Sequence, residues 1–112
     1  MINLDEKFKL INNICFKGDL PQILIKIKSR ANVNAAFVVD TDELGNNTYS
    51  IELNPRLSRG GSDLEPILLH EMVHFWIALN RPEEMSEEHS DGFEEKAAEV
   101  GKIWWENELK SL

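Results

Sequence analysis

Two histidines and a glutamate in the second half of the chain have the spacing of a metal site with a built-in base. Residues 70–74 read H-E-M-V-H, an H-E-x-x-H pattern inside an apolar run. On an α-helix, residues four apart lie on the same face, one turn above each other. His70 and His74 could therefore bind one Zn²⁺, with Glu71 as the general base toward a water molecule that the metal activates. The alternative is two histidines that share a helix face without any ligand.

A catalytic zinc ion usually takes three protein ligands and leaves one position for water. His89 is the only other histidine in the chain, and it follows an acidic loop. From the residues alone, a lone loop histidine is more often solvated than bound to a metal. A glutamate from the C-terminal segment is a competing third ligand, as in His₂Glu sites, and the candidates are Glu94, Glu95 and Glu99. Those glutamates could equally form an ordinary charged helix face.

The H-E-x-x-H pattern lies in a segment that predicts a buried helix from about Leu64 to Leu79. The segment is apolar nearly all round, as in helices that are buried on every side. Residues 62–65 have the spacing of a capping box, and residues 80–82 predict the end of the helix. Trp76 is predicted to belong to the core rather than to the wall of a site.

The other predicted elements would hold this helix in place. Apolar residues recur at helical spacing from Leu4 to about Phe16, and a second helix is predicted to begin at Pro21 and end near Arg30. Runs at residues 36–39 and 48–53, with turn residues between them, predict a β-hairpin. A last helix is predicted from about Gly92 to Leu109. The order α-α-β-β-α-loop-α indicates an α+β fold with a small antiparallel sheet.

Composition limits the class of protein. A chain of 112 residues with 42% apolar and 29% charged residues predicts one domain over residues 1–112. The net charge of −8 argues against direct tight nucleic-acid binding, because such proteins usually carry a basic stripe. Cys15 is the only cysteine, which excludes an internal disulfide and a cysteine-based zinc ribbon, and its apolar neighbours predict burial. With neither a leader pattern nor a membrane-length apolar run, we expect a cytoplasmic protein without a membrane partner.

A longer pattern surrounds the histidine helix. It comprises Ile51-Glu52-Leu53-Asn54, Leu57, Leu64-Glu65 and residues 68–74. In these residues the segment 51–93 resembles the SprT-like metallopeptidase domain, the family that includes the Spartan-type proteases.

The resemblance implies a zincin-like fold and a third zinc ligand. In that family the third histidine follows the helix after a polar loop, within an H-G-x-x-F-like motif. Here fourteen residues separate His74 from His89, and Phe93 stands four residues beyond His89, where the family's phenylalanine falls. His89 is therefore the third ligand that the resemblance implies.

This chain departs from the family pattern at several points. Ser90 replaces the glycine that is expected after the histidine, and Gly92 stands where an acidic residue is more usual. Family members commonly have three strands before the helix, so a third strand is expected near residues 32–35 or is absent. Many members carry a zinc ribbon or another DNA-binding extension. The acidic sequence without a ribbon implies that any targeting to DNA would come from a partner.

The resemblance implies a zinc-dependent endopeptidase that acts on a protein or peptide substrate. His70, His74 and His89 would bind Zn²⁺, and Glu71 would take a proton from water and deliver it to the leaving amine. A substrate would pair as an added strand with an exposed sheet edge, which the sequence does not identify. Acceptors are needed to orient the imidazoles, and the candidates are Asp40, Asp91 and Glu94.

A second class of function is open. Zinc could staple a small domain whose acidic, tryptophan-bearing surface binds another protein. Of the adjacent Trp104 and Trp105, at most one can face inward, so the other could belong to such a surface. Glu71 favours the enzyme, because a purely structural metal site does not require a base at that position.

Overall fold

The computed structural model describes residues 3–29, 33–59 and 63–110, which form an α+β fold. Its elements are α1 Leu4–Cys15, β1 Leu24–Ile27, β2 Ala35–Thr41, β3 Asn47–Leu53, α2 Leu64–Asn80 and α3 Asp91–Lys110. Short 3-10 helices at Pro55–Arg59 and Pro82–Glu84 precede and follow α2. The predicted α+β class is confirmed, and α1, α2 and α3 begin and end close to the predicted residues.

The sheet is mixed, with strand order β1-β3-β2. The predicted hairpin is confirmed: β2 and β3 pair antiparallel, with Phe37 opposite Ile51. Its turn is closed by the Asp42 carboxylate, which accepts the backbone N–H groups of Leu44 and Asn46 at 2.9 and 2.8 Å. β1 pairs parallel to β3, so the expectation of a purely antiparallel sheet is wrong.

The predicted helix from Pro21 to Arg30 is wrong, because residues 24–27 form β1 and supply the third strand. Ile25 in the strand and Ile23 just before it pack against the core, whereas Leu24 is 60% exposed. In so short an apolar run, helical and alternating spacing both fit, and β-branched isoleucines favour the strand. Arg30 and Asn32, near which the helix end and a third strand were expected, lie outside the described residues.

Asn12 directs the chain from α1 toward β1. Its buried side chain donates from Nδ2 to the Leu20 carbonyl at 2.7 Å and accepts the Leu20 N–H at 3.1 Å. Between these residues the backbone turns through positive φ at Lys17 and Gly18. The chain therefore leaves α1 in a closed turn and enters β1 extended.

An aromatic trio holds α2 against the hairpin. The rings of Phe37 and Tyr49 stack at 5.8 Å, and Phe75 on α2 lies 5.7 Å from Phe37 and 5.4 Å from Tyr49. Phe75 is fully buried. Since the residue before Phe75 is His74, this contact also sets where the H-E-x-x-H residues lie relative to β2.

α3 closes the core from the other side. Val100 and Trp104 are buried, whereas Trp105 is 61% exposed, so one tryptophan faces inward as predicted. The predicted burial of Cys15 is also confirmed, and its Sγ lies 3.6 Å from the Val100 carbonyl oxygen. Trp76 is partly buried against the core, as predicted.

Asp63 is the N-cap of α2 but its side chain makes no capping hydrogen bond, and Ser62 of the predicted capping box lies outside the described residues.

Within residues 3–29, 33–59 and 63–110, none of the helices combines the length and apolar character that crossing a membrane requires.

The Asn12 contact yields a stability prediction. Asn12→Ala should lower the free energy of unfolding by about 2 kcal/mol, because it leaves the buried Leu20 N–H and carbonyl without partners. Urea denaturation measures the difference. Asn13→Ala, an exposed neighbour on the same helix, should change stability by less than about 0.5 kcal/mol. Equal effects of the two substitutions would contradict the assigned role.

The buried thiol predicts a pH dependence. Burial raises the pKa of Cys15 from its ordinary value of 9.0 to about 11, against a smaller opposing effect of Lys96. The unfolded chain therefore loses this proton first, so stability is retained below pH 9 and falls above it. The advantage of the wild type over Cys15→Ala should shrink by about 1 kcal/mol between pH 8 and pH 10. Denaturation of both proteins across this range tests it, and a constant difference would refute it.

Candidate metal centre

The structure brings three histidines from two distant parts of the chain together. His70 and His74 lie on α2, and His89 lies in the loop immediately before α3. One ring nitrogen of each lies within 4.8 Å of the others. The ring centroids of His70 and His74, and those of His70 and His89, are 5.0 Å apart.

The spacing of the donor atoms fits a small divalent ion. Nε2 of His89 lies 3.3 Å from Nε2 of His70. Two nitrogens that are each about 2.0–2.1 Å from a tetrahedral ion lie roughly 3.3 Å apart. The same distance also suits a hydrogen bond between the two rings in one tautomer. The three imidazoles are thus a donor set of the type that zinc takes in proteins.

The surroundings of the two α2 histidines favour the neutral imidazole, which is the form that binds metals. The pKa of His74 lies at about 4, because burial disfavours the charged ring and the neighbouring His70 and His89 disfavour it further. Burial and then His89 likewise lower the pKa of His70. Glu88 acts in the opposite direction on both rings. The two α2 histidines therefore present unprotonated nitrogen at neutral pH.

Phe93 lies against all three imidazoles. Its ring is 4.4 Å from His74, 4.5 Å from His89 in a stacked arrangement, and 5.1 Å from His70. Phe93 belongs to the first turn of α3 and is only 3% exposed. It therefore joins the loop histidine to the helix pair, whereas the family resemblance had given only its position four residues beyond His89.

Glu71 lies beside the histidines without belonging to the group of ligand atoms. Its carboxyl is buried and lines the same groove as His70 and His74. Burial raises the pKa of Glu71 to about 7, although a hydrogen bond from the backbone N–H of Phe37 partly opposes this shift. A carboxyl group with a raised pKa in a groove is typical of a residue that moves protons.

The groove beside these residues has one wall formed by a sheet edge. Its volume is about 410 Å³, and β2 contributes residues 35–37 and Val39 to its lining. Within the described sheet, β2 pairs with β3 on one side only. The Phe37 N–H that reaches Glu71 points away from β3, and backbone groups alternate in direction along an antiparallel pair. Ala35 and Val39 thus also direct their backbone groups toward the groove.

Among the residues that the structure describes, the competing ligands do not belong to the histidine cluster. In the described part of the chain, the only cluster of His, Cys, Asp or Glu with ligand spacing is that of the three histidines. Glu94 and Glu95 are exposed, and Glu99 pairs with Lys96 at 2.9 Å. Glu94 acts on His70 electrostatically, but over residues 3–29, 33–59 and 63–110 we find no hydrogen bond between an imidazole and any of the three predicted acceptors, Asp40, Asp91 and Glu94.

Comparison with known protein families places the chain in one of them. The sequence model of the SprT-like family matches residues 4–111, essentially the whole chain, and the matched stretch includes the three histidines and Glu71. The comparison with curated proteins finds no match. Since the family match extends over nearly every element of the fold, the chain belongs to the SprT-like family.

Proposed function

We propose that this protein is a zinc-dependent metalloendopeptidase. The observation that carries the proposal is the convergence of His70, His74 and His89 beside the buried carboxyl of Glu71. The three ring nitrogens would hold the ion. When bound, zinc supplies Lewis-acid chemistry, polarising a carbonyl oxygen and making water more acidic.

Glu71 would do the proton transfer. It follows His70 directly on α2, and its carboxyl faces the groove in which a peptide would lie. Its carboxylate would accept the proton of the attacking water and then donate that proton to the nitrogen of the leaving amine. The Phe37 N–H, which donates to this carboxyl, would hold it in a fixed orientation.

The edge of β2 would bind the substrate. An extended peptide can add to a free sheet edge through its backbone, so that binding depends little on side-chain identity. The outward backbone groups of Ala35 and Val39 lie on either side of the Phe37 group that contacts Glu71. A strand added there would pass beside His70 and His74, with its peptide bonds facing the metal centre.

The alternative is a non-catalytic, zinc-stabilised interaction domain. The exposure of Trp105 on α3 favours it, because a large aromatic side chain at the surface suits contact with another protein. This alternative shares the zinc site with the enzyme but requires no proton transfer by Glu71. The two functions therefore differ in the effect of replacing Glu71.

The ligand set predicts how zinc affinity responds to substitution. His89→Ala should weaken zinc binding at least about tenfold, because two imidazoles remain of three. Glu95→Gln should leave the affinity unchanged, since its side chain is exposed. Competition with a chromophoric chelator measures both affinities, and Co²⁺ absorption reports the number of nitrogen ligands. Loss of affinity in Glu95→Gln but not in His89→Ala would identify a His₂Glu site instead.

Replacing Glu71, the proposed base, should reduce hydrolysis without reducing zinc binding. Glu71→Gln should reduce cleavage of unfolded casein by on the order of 10²- to 10⁴-fold, because the amide cannot accept the proton. Zinc affinity should be unchanged, since Glu71 is not among the clustered ligands. Cleavage rates with equal zinc loading measure the effect, and His70→Ala serves as the metal-deficient control. If wild type and Glu71→Gln bind zinc but are equally inert, the proposed peptidase activity is contradicted and the interaction domain is favoured.

A further inference from the structure

The loop that carries His89 is held by contacts at its two ends. Residues 85–89 between the second 3-10 helix and α3 are exposed, His89 included. His89 is nevertheless required to stay within ligand distance of two histidines on another helix. The Phe93 ring stacks against the His89 ring, with 4.5 Å between the two ring centroids. The remaining constraint has to come from the residues that fix the backbone on either side of the loop.

Glu84 connects these two ends directly. It is the last residue of the 3-10 helix, and its Oε1 accepts the backbone N–H of Gly92 at 3.1 Å. The hydroxyl of Ser90 also donates to this carboxylate, and Arg81 Nη1 lies 3.4 Å from Oε2. These donors, with Ser90 contributing most, hold the pKa of Glu84 below its ordinary value, so it is an anion at neutral pH. Glu84 thereby links the two ends of the segment 84–92, which contains His89.

The position of the Glu84 carboxylate requires a glycine at residue 92. A Cβ atom at position 92 would lie 2.6 Å from Oε1 and 3.0 Å from Oε2 of Glu84. That is closer than carbon and oxygen can approach without displacement, so any side chain at Gly92 would push Glu84 away. The absence of a side chain is what lets the carboxylate reach the Gly92 N–H.

Ser90 completes the connection at the start of α3. Its buried hydroxyl accepts the Phe93 N–H at 3.1 Å while it donates to Glu84. The Gly92 and Phe93 N–H groups have no partner within the helix at this end, and Glu84 and Ser90 provide one for each. The same contacts that cap α3 therefore position Phe93 beneath the imidazoles and fix the residue after His89.

We propose that Glu84 is a positioning residue for the third metal ligand, holding His89 through its hydrogen bonds to Ser90 and Gly92. The inference rests on the proposed function in one respect, namely that His89 binds the ion. Glu84 touches neither the ion nor a substrate in this role. Its contribution is to reduce the freedom of the loop, so that binding does not have to order it.

A double-mutant cycle on metal affinity tests the proposal. Zinc affinity is measured by chelator competition for the wild type, Glu84→Ala, His89→Ala and the double variant. Glu84→Ala should weaken binding about tenfold in the wild-type background and should have no effect when His89 is already alanine. Glu83→Ala is the matched control, because Glu83 is an exposed glutamate in the same 3-10 helix and should leave the affinity unchanged.

The outcomes separate this proposal from the proposed function. If His89→Ala does not change zinc affinity, the assignment of His89 as a ligand fails. If His89→Ala weakens binding but Glu84→Ala does not, or weakens it equally in both backgrounds, the positioning role alone is refuted. A merely structural role would lower the urea midpoint of Glu84→Ala without the His89-dependent loss of affinity.

Two further variants keep the test valid if Glu84→Ala is poorly folded. Gly92→Ala leaves the Glu84 side chain intact but displaces it, and should weaken zinc binding to a similar extent. Glu84→Gln keeps one oxygen that can accept the Gly92 N–H but replaces the second acceptor oxygen with an amide nitrogen, and should recover part of the affinity. Wild-type affinity in Gly92→Ala would contradict the proposal, as would a Glu84→Gln variant no better than Glu84→Ala.

Discussion

The candidate centre depends on one contact, that between the first turn of α3 and the middle of α2. Two of its histidines share a helix and keep their spacing whatever the rest of the chain does. The third comes from an exposed loop, and fourteen residues separate it from His74. Phe93 bridges this gap, since its buried ring touches all three imidazoles. Any movement of α3 along α2 would separate His89 from the pair, so the packing of α3 is a condition for the site.

Burial of the polar residues of α2 shapes the chemistry that they can do. Because α2 lies between the hairpin and α3, His74 and Glu71 are shielded from water. This burial disfavours the charged form of each side chain. For the histidine the consequence is a free nitrogen lone pair, and for the glutamate it is a proton held near neutral pH. In both cases the folded state loses the free energy of hydrating a polar side chain. A divalent cation would offset that cost by coordinating the nitrogens and by favouring the carboxylate, so metal binding would stabilise the fold.

The sequence was informative where a pattern is local and strong. The H-E-x-x-H spacing and the long apolar run placed two histidines and Glu71 on one helix, and alternation with a turn cluster placed the hairpin. It failed at β1, where a run of isoleucines fits a helix as well as a strand over so few residues. Parallel pairing with β3 was not visible either, because register between distant strands leaves no local pattern. For the third ligand, residue chemistry alone left His89 and the α3 glutamates open, and only the family resemblance favoured the histidine.

The two departures from the family pattern beside His89 are connected in the structure, and together they act as one compensated change. Ser90 and Gly92 each differ from the residues expected beside the third histidine, and taken singly each would put the loop geometry in doubt. In the structure they share one partner, Glu84, whose carboxylate lies where a side chain at position 92 would be. An acidic group is thus still present at the start of α3, where it suits the positive end of the helix dipole, but it comes from eight residues earlier. The carboxylate then also ties the two ends of the loop together, which an acidic residue at position 92 itself could not do.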